Sequence, residues 1–270
     1  MHRWSVGAVD VVRVEDDDFA LPTERATPSW FVPAFAPRAG EVGAAFSALA
    51  IASDGLRIVV DPWLANDWPR EGPDAAVHAA RLLDELAGAG FPADEVDVVV
   101  NTHLDGIGWN TRPDGDGWVP TFPNARYLYP ADEVAAIDRG EERYGIEGFE
   151  ALRGLVALEV AESPFVLTPS VTLVDAPGHN SGHFAVRIES GGALAVYAGH
   201  IVLSPFQVAD PDDGADDGPV AAPIATVTRR AILTELAARE GTLLTTLVGG
   251  PGGGVVRVDG DGFRLEPSPA

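Results

Sequence analysis

Short apolar runs separated by polar, glycine- and proline-rich breaks recur along the whole chain. Residues 5–15 alternate loosely and predict a first strand, ended by the acidic run Asp16-Asp17-Asp18. Residues 42–52 and 56–60 are apolar and joined by Ser53-Asp54-Gly55, and Asp-Gly between two such runs predicts a hairpin. Residues 96–100 are a short β-branched run, the pattern of a buried strand. Residues 171–175 predict another strand. After His183, Phe184, Val186 and Ile188 share one face of a further strand, which Ser190-Gly191-Gly192 turns into residues 193–198. Residues 243–248 predict a final buried strand.

Helical periods lie between these runs. Gly72-Pro73 opens a helix with Val77, Leu83, Leu86 and Ala87 on its apolar face, and Gly88 or Gly90 can end it. His78 in this helix reads as a surface or partnered histidine. Helices are also predicted over 130–139, 146–158 and 224–240, the last stopped by Gly241. Strands alternating with helices predict a layered α/β fold. Residues 21–38, rich in proline and aromatics, read as an irregular arm packed on the body, and the arm as a whole is placed at about 16–40.

Composition narrows the partners. At 270 residues a single domain spanning 1–270 is expected. The net charge of −23 argues against nucleic acid and anionic membranes, so a small-molecule substrate is expected. There is no cysteine, which removes disulfides and thiolate chemistry, and all 18 basic residues are arginine, which removes Schiff-base and P-loop lysine chemistry. No apolar run is long enough to span a bilayer and no signal-peptide pattern opens the chain, so a cytoplasmic location is expected. The proline-rich arm makes a homodimer a candidate assembly. The acidic stretch 210–217 lacks the spacing of a calcium loop and reads as a solvated loop.

Candidate chemistry collects where strands end. The run 96–100 breaks into Asn101-Thr102-His103-Leu104-Asp105-Gly106; a buried strand delivering His and Asp at its carboxyl end suits a metal or acid/base site. The strand 171–175 leads into Ala176-Pro177-Gly178-His179-Asn180-Ser181-Gly182-His183, and 193–198 ends in Gly199-His200. The run 56–60 ends in Asp61-Pro62-Trp63.

These loops resemble the metallo-β-lactamase superfamily. Thr102-His103-Leu104-Asp105-Gly106 is similar to its Thr-His-x-His-x-Asp-His signature, and Pro177-Gly178-His179 with Gly182-His183 to its Pro-Gly-His-x-x-Gly-His. Gly108-Trp109-Asn110-Thr111, Phe122-Pro123-Asn124-Ala125, Ser204-Pro205-Phe206-Gln207 and Thr228-Arg229-Arg230 resemble the branch with lactonases and methyl parathion hydrolase-like enzymes. The resemblance spans about 45–257 and implies a four-layer αβ/βα sandwich. It also implies a two-metal centre of five His and two Asp, and here the chain departs from the pattern. Two residues of the signature are missing, the second His among them. Gly106 stands for a further His, and His200 for the metal-bridging Asp. Gly249-Gly250-Pro251-Gly252-Gly253-Gly254 follows the last strand where the final His belongs, and reads as a flexible loop.

The expectation is an enzyme without the two-metal centre, acting on a small carbonyl compound by metal-independent elimination, isomerisation, cyclisation or hydrolysis. His200 and His179 are the expected acid and base, with Asp105 orienting one of them and His103 close by. Trp63, Trp109, Trp118 and Gln207 are expected to line the substrate site, with Trp68 near it, and His183 and Asp61 to support the loops from behind. No cofactor is expected. The alternatives are a non-catalytic pseudoenzyme that binds a small molecule or partner, and a mono-metal lactone or ester hydrolase. In the latter, one zinc or other divalent ion sits on His103, His179, Asp105 and His200.

Overall fold

Two sheets, each of seven strands among the described residues, stack face to face, and helices cover their outer sides. The computed structural model describes residues 1–62, 73–104, 110–115, 117–141, 146–180, 182–215 and 217–267. The first sheet is built from β1 (His2–Val6), β2 (Val9–Pro22), β3 (Glu41–Ser53), β4 (Leu56–Val60) and β5 (Val98–Val100). After the small hairpin β6 (Thr111–Asp114) and β7 (Gly117–Pro120), it is completed by β8 (Arg126–Pro130) and β9 (Leu158–Ala161). Its order is β1-β2-β3-β4-β5-β8-β9. Helices α1 (Pro73–Ala89), α2 (Ala131–Asp138) and α3 (Ile146–Leu155) pack on it. The second sheet runs in sequence order through β10 (Phe165–Thr168), β11 (Val171–Asp175), β12 (Phe184–Ser190), β13 (Ala193–Tyr197), β14 (Thr242–Leu244), β15 (Gly253–Asp259) and β16 (Gly262–Glu266). It carries the short α4 (Phe206–Ala209) and the long α5 (Gly218–Ala238).

The apolar pattern explains the layers. In β5, Val98 and Val100 enter the core between the sheets, while Val99 enters the core beneath the helices. A strand buried on both faces has no polar face to show, so it reads as an unbroken Val run. Its neighbours β4 and β8 both run parallel to it. The β3–β4 hairpin turns on Asp54 (φ 52) and Gly55 (φ 83), the left-handed pair that a two-residue turn of this kind requires. In α1 the buried stripe is Leu82, Leu86 and Ala89; Leu83 and Ala87, expected inward, lie half-buried and exposed. Among the described residues no helix is long and apolar enough to cross a membrane.

Several expectations change. The first strand does not stop at the acidic run. It breaks into two after Val6, and the second part continues as β2 to Pro22, because the long β3 supplies backbone partners along it and a register shift between Glu15 and Asp17 absorbs the irregularity. Residues 29–36 of the arm do pack on the body: Phe31, Phe35 and Ala36 are buried, and Phe31 meets Phe206 edge-on at 5.0 Å between ring centroids. Helix α5 begins at Gly218, six residues before the expected 224, and carries Pro223 inside it. Leu158 belongs to β9, not to the helix before it.

The glycine run is packed, not loose. Beyond β14 the chain crosses to β3, where Ala44 bridges Val248 and the Gly249 amide donates to the Gly43 carbonyl at 3.1 Å. A Cβ on Gly249 would lie 2.5 Å from the Gly43 backbone. The fully buried Arg13 holds this crossing through the Val248 and Gly250 carbonyls, at 2.9 and 2.6 Å, and Ser47 at 2.8 Å. Gly253 and Gly254 then open β15, pressed against the Leu243 and Glu266 carbonyls. The final hairpin β15–β16 is not among the expected strands, although Val256 and Val258, then Asp259-Gly260, then Phe263 and Leu265 carry the same Asp-Gly hairpin signal as β3–β4.

Candidate active site

The site forms where three strands end. Asp61 follows β4 with φ 43, a conformation uncommon for a non-glycine residue. The turn aims its carboxylate at the loop leaving β5. Oδ1 accepts from the Thr102 amide at 2.8 Å, and Oδ2 accepts from the Thr102 hydroxyl at 2.6 Å and the Tyr197 hydroxyl at 2.8 Å. Tyr197 closes β13 and also reaches Thr246 Oγ1 at 3.1 Å. Burial raises the Asp61 pKa, against the lowering effect of these hydrogen bonds. Burial first, and then the Asp61 charge, push Tyr197 well above 10.0.

Thr102 passes this arrangement on to His103. Its hydroxyl proton is committed to Asp61, so Oγ1, 3.0 Å from His103 Nδ1, accepts from that ring. The network therefore assigns His103 the Nδ1–H form, with a bare lone pair on Nε2. That Nε2 lies 3.0 Å from His200 Nδ1, which in turn lies 3.2 Å from His179 Nε2. These three ring nitrogens all fall within 4.8 Å of one another. His103 and His200 are buried and His179 is half-buried. Desolvation, followed by repulsion from His200, His183 and His179, holds His103 well below 6.5 and so neutral.

Each ring is set by its loop. His200 follows Gly199, whose φ of 52 and position leave no room for a side chain: a Cβ there would meet the His183 ring at 2.5 Å. The His200 amide donates to His183 Nε2 at 3.1 Å, which places the His183 proton on Nδ1. That nitrogen is buried without a well-formed partner, although the Ala176 backbone partly offsets the fall of the His183 pKa. Burial first, then His179 and His200, hold His183 well below 6.5. The His179 loop rests on α5: the Thr228 hydroxyl donates to the Pro177 carbonyl at 2.6 Å, and Gly178 presses against Ala225. The loop leaving β5 is closed at its base by Asn101 and Asn110, whose buried amides exchange hydrogen bonds at 2.8 and 3.3 Å.

The structure thus brings His103, His179 and His200 together, with His183 and Asp61 directly behind them. Asp105, Trp63, Trp68 and Trp109 lie outside the described residues. Trp118 is half-buried in β7, opposite Pro113. Gln207, expected at the substrate site, is buried with its side-chain amide engaged inside the fold. Its oxygen accepts from the Leu203 amide at 2.7 Å and its nitrogen faces Asp217 at 3.4 Å. Asp217 forms a buried pair with Arg229 at 2.7 Å, and Arg229 also donates to the Ile201 carbonyl next to His200, at 2.7 Å. Tyr197, Glu133 and the Asn101–Asn110 pair were not among the expected site residues. Thr102, Asn101 and Asn110 stand inside motifs that the sequence singles out, whereas Tyr197 and Glu133 carry no local signal.

Three convergent imidazoles, one of them fixed in its lone-pair form by hydrogen bonds behind it, fit a single divalent ion of the zinc class. Among the described residues the only group of this kind is His103, His179 and His200. Asp61 is turned away into the Thr102–Tyr197 network. A ligand at position 249 is excluded by the sheet crossing.

Two facing sheets flanked by helices, with imidazoles on loops at the strand ends, define an αβ/βα sandwich with a histidine centre. The sequence matches the family model of the metallo-beta-lactamase superfamily over residues 47–247, and the chain belongs to that superfamily. Three of the solved structures that share the fold illustrate the likeness. AidC, a dizinc quorum-quenching lactonase in complex with a product, is 20% identical, with 99% of this chain and 97% of that chain covered and a TM-score of 0.72. The hydrolase AbOPH of the beta lactamase superfamily is 18% identical, with 100% and 97% covered and a TM-score of 0.75. A probable metal-dependent hydrolase from Staphylococcus aureus is 15% identical, with 99% and 100% covered and a TM-score of 0.71. A comparison with curated protein sequences returns no match.

Proposed function

We propose that this protein is a hydrolase of small lactones or esters whose single divalent ion is held by His103, His179 and His200. The observation that carries the reading is the convergence of their three nitrogens, with the His103 tautomer fixed through Thr102 and Asp61. A lactonase and other hydrolases among the structures of the same fold support the substrate class. An ion of the zinc class, when bound, supplies Lewis acidity and water activation at neutral pH. The chain's own residues do the rest. Thr102 and Asp61 orient His103; burial keeps it neutral and able to offer its lone pair; His183 holds the backbone of His200. The acidic surface favours a small-molecule substrate over nucleic acid, in a cytoplasmic setting.

One observation favours a second reading, metal-independent proton transfer by His200 and His179. His200 Nδ1 stands within hydrogen-bond distance of both His103 Nε2 and His179 Nε2, so a proton can be shared across the three rings. Elemental analysis of untagged protein with and without zinc, paired with turnover on a lactone and ester panel before and after chelation, separates the readings. One ion per chain and chelator-sensitive turnover support the first. Chelator-resistant turnover that His200→Ala abolishes supports the second. No turnover in any condition overturns both and leaves a binding protein.

A further inference from the structure

One buried carboxylate outside the histidine cluster joins its two halves. Glu133 stands in the first turn of α2 and is 0% exposed. Its Oε2 accepts from the Leu104 amide at 3.0 Å, directly after His103, and from the Asn180 side-chain amide at 3.2 Å, directly after His179. Its Oε1 accepts from the Gly182 amide at 3.1 Å, directly before His183. The loop sits tightly on this carboxylate: a Cβ on Gly182 would come within 2.7 Å of the Glu133 amide nitrogen and 3.0 Å of its Cγ. One loop leaves the first sheet after β5 and the other leads into β12 of the second sheet, so the carboxylate spans the two layers. A buried carboxylate persists when hydrogen-bond donors satisfy its oxygens, and here those donors come from both histidine loops.

We propose that Glu133 is a positioning residue that sets the spacing of His103 against His179 and His183, and thereby the convergence of the three imidazoles. The inference deepens the single-ion reading and rests on it for the metal readout alone. Glu133→Gln keeps the shape but turns an NH₂ group toward at least one N–H donor, while Glu133→Leu removes every acceptor.

The test uses the full chain labelled with ¹⁵N-histidine, free of metal, followed by cobalt(II) titration against a competing chelator. The wild type should show the Nδ1–H pattern for His103 in long-range imidazole spectra. Glu133→Gln should shift the His103, His179 and His183 ring resonances, as the rings move relative to one another, while keeping its far-ultraviolet circular dichroism, and its cobalt affinity should fall about 10- to 100-fold, the range seen when a group behind a metal ligand is lost. Glu133→Leu should lose more. Unchanged imidazole spectra and affinity in Glu133→Gln, with only a lower melting temperature, would make the carboxylate a plain structural group and overturn the proposal. If the wild type takes up no cobalt, the single-ion reading fails, and the imidazole spectra still decide the role of Glu133. If Glu133→Leu does not fold, the glutamine variant decides it alone.

Discussion

A hydroxyl group decides which nitrogen of His103 carries a proton. Because the Thr102 hydroxyl donates to Asp61, it can only accept from His103. Thr102→Val keeps the volume and deletes the relay, leaving a buried N–H without an acceptor and Asp61 short of a donor. A loss of stability on the order of 1–3 kcal/mol is expected, with Thr102→Ser close to wild type; denaturant melts of the three proteins check it. The neutral histidines also set a pH dependence. His103 and His183 are held well below 6.5 when folded, whereas the unfolded chain takes up protons there near pH ~6.5. The unfolded state then binds more protons, so stability of the metal-free protein falls as pH drops from about 6.5 toward the folded values. The slope reaches up to ~1.4 kcal/mol per pH unit for each histidine. Asp61 has the opposite sign, since its raised pKa adds stability as pH falls through it. Urea midpoints at pH 7.5, 6 and 5 should therefore decline less steeply in His183→Gln than in the wild type, and parallel curves would refute the assignment of His183.

At the scale of elements, local pattern made strand ends legible and long-range packing did not. The loops carrying His103, His179 and His200 could be read because each follows a short apolar run. That Tyr197 would brace Asp61 could not: it looks like one more apolar strand residue, and its partner lies 136 positions away. Glu133 looks like an ordinary charge in the first turn of a helix, since its partners lie 29 and 49 positions away. The glycines 249–254 read as a loop because nothing in the run says that other backbone presses on it. That pressing has a consequence for rebuilding the family's pattern in this chain. Gly249→His, which restores the residue type of the resembling family, drives its Cβ into the Gly43 backbone. We expect a drop in melting temperature of several degrees, from overpacking of about 1–3 kcal/mol or more, and no gain in zinc stoichiometry. Calorimetry with elemental analysis checks both.

For the molecule as a whole, charge is the unusual quantity. A net −23 on this chain makes the surface self-repelling, while exposed pairs such as Arg230–Asp212 and Arg126–Glu159 pull the other way. Isolated exposed pairs contribute little, so repulsion should prevail. Raising sodium chloride from low salt to about 0.15 M, where the Debye length is ~8 Å, should raise the melting temperature. A fall would mean that the arginine pairs dominate.

The three rings do not hang from one sheet. His103 follows a strand of the first layer, and His179 and His200 follow strands of the second. Whatever the rings grip together is therefore a rivet between two plates. Filling the site and keeping the plates closed become one equilibrium, so that the heat tolerance of the protein doubles as a gauge of what it is holding.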